Sequence, residues 1–95
     1  MRIEELLWDE DNLEHLAGHH IDHEEVEDAV FQDAPIAVNA RGGRYAVYGQ
    51  TAAGRYIVVF VEPVRVGRRR QPLVSRPVTA RDMTSAERRR YQSLK

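Results

Sequence analysis

The chain has 95 residues, 42% hydrophobic and 31% charged, with a net charge of −1 and no cysteine. That balance fits one small soluble domain, residues 1–95, with a modest core, and argues against a disordered tail. It excludes a disulfide scaffold and thiolate chemistry. No apolar run approaches the roughly 20 residues of a membrane helix, and MRIEELLWDE lacks a signal-type hydrophobic region, so a cytoplasmic location with no membrane contact is expected.

RIEELLW reads as a short first strand with Ile3, Leu7 and Trp8 turned inward. Asp9 is placed to cap a helix over residues 10–19, in which Leu13, Leu16 and Ala17 fall at helical spacing and Gly18 weakens the end. Asp22 and Glu25 form a capping box for a second helix with Val26, Ala29 and Val30 as its apolar stripe, stopped by Asp33 and Pro35. The period then changes. PIAVNAR, RYAVYGQ and RYIVVFVE are β-branched and aromatic. Gly42-Gly43 supplies one hairpin turn and TAAG the next. YIVVFV is apolar throughout, as in a central strand buried on both faces. PVRVGRRRQP reads as an exposed loop, followed by a last strand over about residues 73–81 with Pro72 and Pro77 at an edge or bulge. Thr84 and Glu87 cap a third helix that Tyr91 and Leu94 dock. The expected class is α+β in the order β-α-α-β-β-β-β-α: a mostly antiparallel twisted sheet with helices on one face.

Net charge hides a polarity. Residues 1–34 carry twelve Asp/Glu against one Arg, and residues 35–95 carry thirteen Lys/Arg against three Asp/Glu. Either the two halves present faces to different partners, or they pair with each other in the fold. Arg81 ends the last strand, Arg88, Arg89 and Arg90 follow on the helix, and Arg44 and Arg55 begin neighbouring strands. Arg68, Arg69 and Arg70 lie in the expected loop. Guanidinium forks match phosphate oxygens, so a polynucleotide backbone is a natural ligand. The plainer reading is a solvated helix face with internal ion pairs, such as Glu87 with Arg90.

His15, His19, His20 and His23 cluster in EHLAGHHIDHEE. His15 and His19 share a helix face, but HExxH is missing and no third ligand is evident, so no metal and no other cofactor is expected. His19, where the first helix ends, is the candidate general acid or base; alternatively it caps helix carbonyls. Tyr45, Tyr48 and Tyr56 lie on strands, for base stacking or for sheet packing. Trp8 is expected in the core. A repertoire of His, Arg, Tyr and Glu without a metal suits RNA cleavage, where the 2′-hydroxyl is the nucleophile.

WDEDNLEHLAGHHIDHEEVEDAVF resembles the opening of the BrnT-like toxin family, and VTARDMTSAERRRYQ resembles its ending, an Ala-Arg dipeptide before a Glu-Arg-x-x-Tyr helix. The strand hairpins of GRYAVYGQTAAGRYIVVFV fit between them. The resemblance implies a RelE-like ribonuclease fold. It implies a type II toxin that cleaves RNA and inhibits translation, partnered by a DNA-binding antitoxin of ribbon-helix-helix type. By this resemblance His19 matches the family histidine, Arg81 the Ala-Arg arginine, and Glu87, Arg88 and Tyr91 the terminal helix. The expectation is that His19, Arg81 and Tyr91 are catalytic and that Arg44, Arg55 and Arg88 contact RNA. Two departures stand out: Gly18 replaces a usual Lys or Arg, and His20 replaces a usual Gly. The alternative is a non-catalytic interaction module of the same fold, binding protein and nucleic acid.

Overall fold

The computed structural model describes residues 3–31, 35–66 and 69–94, with backbone alone at 65–66 and 69–73. The elements are β1 (Glu5–Leu6), α1 (Glu10–Gly18), α2 (His23–Phe31), β2 (Ile36–Asn39), a 3₁₀ turn (Arg41–Gly43), β3 (Tyr45–Gln50), β4 (Tyr56–Val66), β5 (Arg69–Asp82) and α3 (Ser85–Leu94). The class is α+β.

Each helix starts where a side chain satisfies its first amides. The Asp9 carboxylate accepts from the Asn12 N–H at 2.9 Å. Asp22 and Glu25 accept from each other's N–H at 2.8 and 3.2 Å, and Thr84 and Glu87 do the same at 3.1 and 2.8 Å. α1 ends in a Schellman motif. The His20 N–H bonds Ala17 O and the Ile21 N–H bonds Leu16 O, both at 3.0 Å. This turn needs a left-handed residue, and His20 supplies it at φ 57° where glycine is the usual occupant. Gly42 and Gly43 take positive φ in the β2–β3 turn, as the sequence suggests.

The sheet runs β1-β5-β4-β3-β2. Its later strands pair antiparallel, while β1 pairs parallel with β5, Glu5 opposite Val74 and Leu6 opposite Ser75. It is therefore a mixed sheet. Of the first-strand residues, Ile3 turns inward and Leu7 turns out, at 9% and 38% exposure. Trp8 packs against the core edge-on to His23.

The helices do not share one face. Leu16, Ile21, Val26, Ala29 and Val30 form a single core cluster with Val47, Ile57, Val59, Val61 and Ala80 of the sheet. The alternate residues Tyr48, Val58 and Arg81 face the other way in one cross-strand row, and α3 lies there through Glu87, Arg88 and Tyr91. The expectation of helices on one face is corrected to a sheet between two helical layers. The cause is β4 itself: Ile57, Val58 and Val59 are all fully buried, so apolar surface had to be covered on both sides.

The segment expected as an exposed loop is largely strand, since β4 reaches Val66 and β5 begins at Arg69. Its prolines are absorbed because the ladder shifts register between Pro63 and Val64, and again between Phe60 and Val61. Asp33 and Arg68 lie outside the described residues. No helix among the described residues is long and apolar enough to cross a membrane.

Candidate functional site

The sheet separates charge as well as layers. α1 and α2 carry Glu10, Asp11, Glu14, Glu24, Glu25, Glu27 and Asp28, whereas α3 carries Arg88, Arg89 and Arg90. The acidic helices and the α3 arginines therefore lie on opposite faces, while Arg55 and Arg76 of the basic half pair with Glu25 and Asp9 of the acidic half.

On the α3 face β5 delivers Arg81 beside the N-terminus of α3. Its guanidinium grips Glu87 in a fork, Nη1 to Oε1 at 2.7 Å and Nη2 to Oε2 at 3.0 Å. It also lies 5.6 Å from the centre of the Phe60 ring. Tyr48 of β3 donates its hydroxyl to Glu87 Oε2 at 3.3 Å. The Arg81 hydrogen bonds hold the Glu87 carboxyl down at about 2, opposed by burial and helped by the Thr84 amide. Burial first, and then the Glu87 charge, push the Tyr48 phenol up. Arg81 is held more firmly protonated, chiefly by Glu87. These three perturbed groups stand together beside a cleft of about 460 Å³ between β2 and α3, lined by Ile36, Val38, Tyr48, Glu87, Arg90 and Leu94.

Arg55 serves the opposite face. Its Nε bonds Asp82 at 2.7 Å, and its Nη1 bonds Glu25 at 3.1 Å and the His20 carbonyl at 2.9 Å. The hydrogen bonds to Asp82 raise the Arg55 pKa and lower that of Asp82. Arg55 thus ties the α1–α2 corner to the ends of β4 and β5, and its fork is occupied by carboxylates.

No hydrogen bond or ion pair joins His19 to Arg81 among the described residues; Arg55 bridges the His20 carbonyl to Asp82, the neighbour of Arg81. His19 is an exposed cap residue at the end of α1, with its amide bonded to helix carbonyls, while Arg81 projects from the sheet face away from that helix. Arg44 is exposed and closes the β2–β3 turn through its backbone, its carbonyl accepting from Ala40 at 2.8 Å. Tyr91 is 2% exposed and meets Tyr56 edge-on at 6.0 Å, so it docks α3. Arg88 lies 4.3 Å from the centre of the Tyr56 ring. Glu87 pairs with Arg81 rather than with Arg90. Asp82 escapes sequence reasoning, as does the tie of Tyr48 to Glu87, since both act through partners 27 or more positions away. The capping box was a usable signal for Glu87, because it sets that carboxylate one turn from the end of the strand bearing Arg81. No group of three or more His, Asp or Glu is arranged to hold a metal ion among the described residues.

No family model matches the chain, and no curated protein matches it.

Proposed function

We propose that this chain is a BrnT-like toxin of a type II toxin–antitoxin pair, with a RelE-like fold, that cleaves RNA without a metal and so inhibits translation. The observation that carries the reading is the Arg81–Glu87–Tyr48 cluster. It borders a cleft on the face where the α3 arginines gather. A phosphodiester competes with Glu87 for the Arg81 fork, because both present two oxygens in a plane. Once displaced, the Glu87 carboxylate loses the cation that depresses its pKa and becomes the base this cluster offers to the 2′-hydroxyl. Arg81 then stabilises the charge that develops on the phosphorane as the 2′-oxygen bonds phosphorus and the bond to the 5′-oxygen breaks, that oxygen leaving with the proton that Glu87 took from the 2′-hydroxyl. In this reading Glu87, not His19, is the base. The partner expected to silence the protein is a DNA-binding ribbon-helix-helix antitoxin.

A second reading, a non-catalytic module binding RNA and protein, is favoured by one observation: Arg55 and Arg81 both have their forks closed by carboxylates. RNA incubated with the protein in EDTA separates the two. Cleavage that is lost in Arg81→Ala and Glu87→Gln but kept in His19→Ala supports the toxin reading. Undiminished cleavage in Arg81→Ala rejects the site, and binding without cleavage leaves the module.

A further inference from the structure

The arginines of this protein fall into distinct states. Arg55 and Arg81 are fixed in place, and their N–H donors are taken up by carboxylates and carbonyls. Arg89 and Arg90 are exposed on α3, with no ring or ion pair holding them among the described residues. Arg88 combines the two conditions that a recognition group needs. Its guanidinium carbon is seated over the Tyr56 ring, 4.3 Å from the centre, so its position is restrained. Yet among the described residues nothing accepts a hydrogen bond from it, so its edge is open.

Gln92 follows Arg88 by four positions and so shares its side of α3. Its Nε2 donates to the Tyr56 hydroxyl at 3.1 Å. That bond orients the amide and leaves its carbonyl oxygen as an acceptor. One tyrosine thus positions a planar fork of donors and, next to it, an acceptor. A phosphate offers acceptors only, and a carbonyl beside the fork would repel it. A base whose edge carries two acceptors and then a donor matches the pair. Guanine has that edge: O6 and N7 take an arginine fork, and N1–H lies next to O6. An unpaired base in a single strand is open to this approach, stacked or edge-on, in a way that a base in an A-form helix is not.

We propose that Arg88 and Gln92, positioned by Tyr56, read an unpaired guanine in single-stranded RNA. The proposal rests on the RNA-binding reading above but not on cleavage. It is tested with short fluorescent 2′-O-methyl oligouridylates, which resist cleavage, each carrying one central guanine, adenine or 7-deazaguanine. Anisotropy is expected to show the guanine strand bound roughly 10-fold tighter than the adenine strand, with most of the gain lost when N7 is removed. Arg88→Lys keeps the charge but not the planar fork, and should abolish the preference for guanine over adenine. Gln92→Ala, at an exposed position, should reduce the preference by a second route. Equal affinity of the wild type for guanine and adenine strands overturns the proposal, as does a preference unchanged in Arg88→Lys. Failure of the wild type to bind any of the strands overturns the RNA-binding reading along with it.

Discussion

Gly49→Ala probes the layering of the molecule at its tightest point. Gly49 lies on the inner face of β3 against α2, and a Cβ there would fall on the Ala29 carbonyl oxygen, 2.7 Å from its carbon and 2.9 Å from its Cα. Ordinary contact begins at 3.4 Å, so the helix has to withdraw by more than half an ångström. The obstacle is backbone, which has no rotamer to escape into. The flanking Val26, Ala29 and Val30, at 0%, 0% and 3% exposure, lose packing together. Overpacking of this kind costs about 3 kcal/mol, the upper end of its usual range. For a domain of this size that corresponds to a fall of about 12 °C or more in Tm. Gly18→Ala is the control: a Cβ there meets nothing within 4 Å, and the change should stabilise α1 by about 0.5 kcal/mol or more. Thermal unfolding followed by circular dichroism measures both. A Gly49→Ala protein as stable as wild type would refute the close seating of α2 on β3.

Three further outcomes are expected. His20→Gly keeps the carbonyl that accepts from Arg55 but removes left-handed strain at φ 57°; net of the entropy glycine adds to the unfolded chain, chemical denaturation should show a gain of about 0.5 kcal/mol. The Glu87 carboxyl sits at about 2 in the fold against an ordinary 4.5. As pH falls the unfolded chain binds that proton first, so the stability it confers is whole above about 4.5 and is lost as pH falls towards 2. In Glu87→Gln, which still caps α3, urea midpoints measured across that window should lack this contribution. Arg55→Ala leaves Glu25, Asp82 and the His20 carbonyl without their common donor; with Asp82 64% exposed, the loss should be about 1 kcal/mol by urea titration.

Local features were legible in the sequence because they depend on near neighbours. Asp9, Asp22 and Thr84 mark the starts of the three described helices, and the bonds they make span three positions. Gly42-Gly43 and TAAG mark turns for the same reason. The second helical layer was also written in YIVVFV: a strand apolar on both sides demands cover on both. The long β4–β5 ribbon was hidden because Pro63 and Pro72 argue against a strand locally, and only the register shifts that accommodate them make pairing possible. The site was the least legible part. Whether an arginine is open to a ligand or closed by a carboxylate depends on partners such as Asp82 for Arg55 and Glu25 for Arg55, 27 and 30 positions away. Which layer His19 and Arg81 each face depends on strand parity and layer order, and residue spacing alone fixes neither.

Photocross-linking with thiouridine-substituted single-stranded RNA, followed by peptide mapping, locates the bound strand. RNA is expected on the cationic face built by β4, β5 and α3. Cross-links are predicted at Tyr56 and within residues 81–92, on the face where Arg81, Arg88 and Tyr48 project. Cross-links concentrated in α1 and α2, around His19 and His20, would contradict the account.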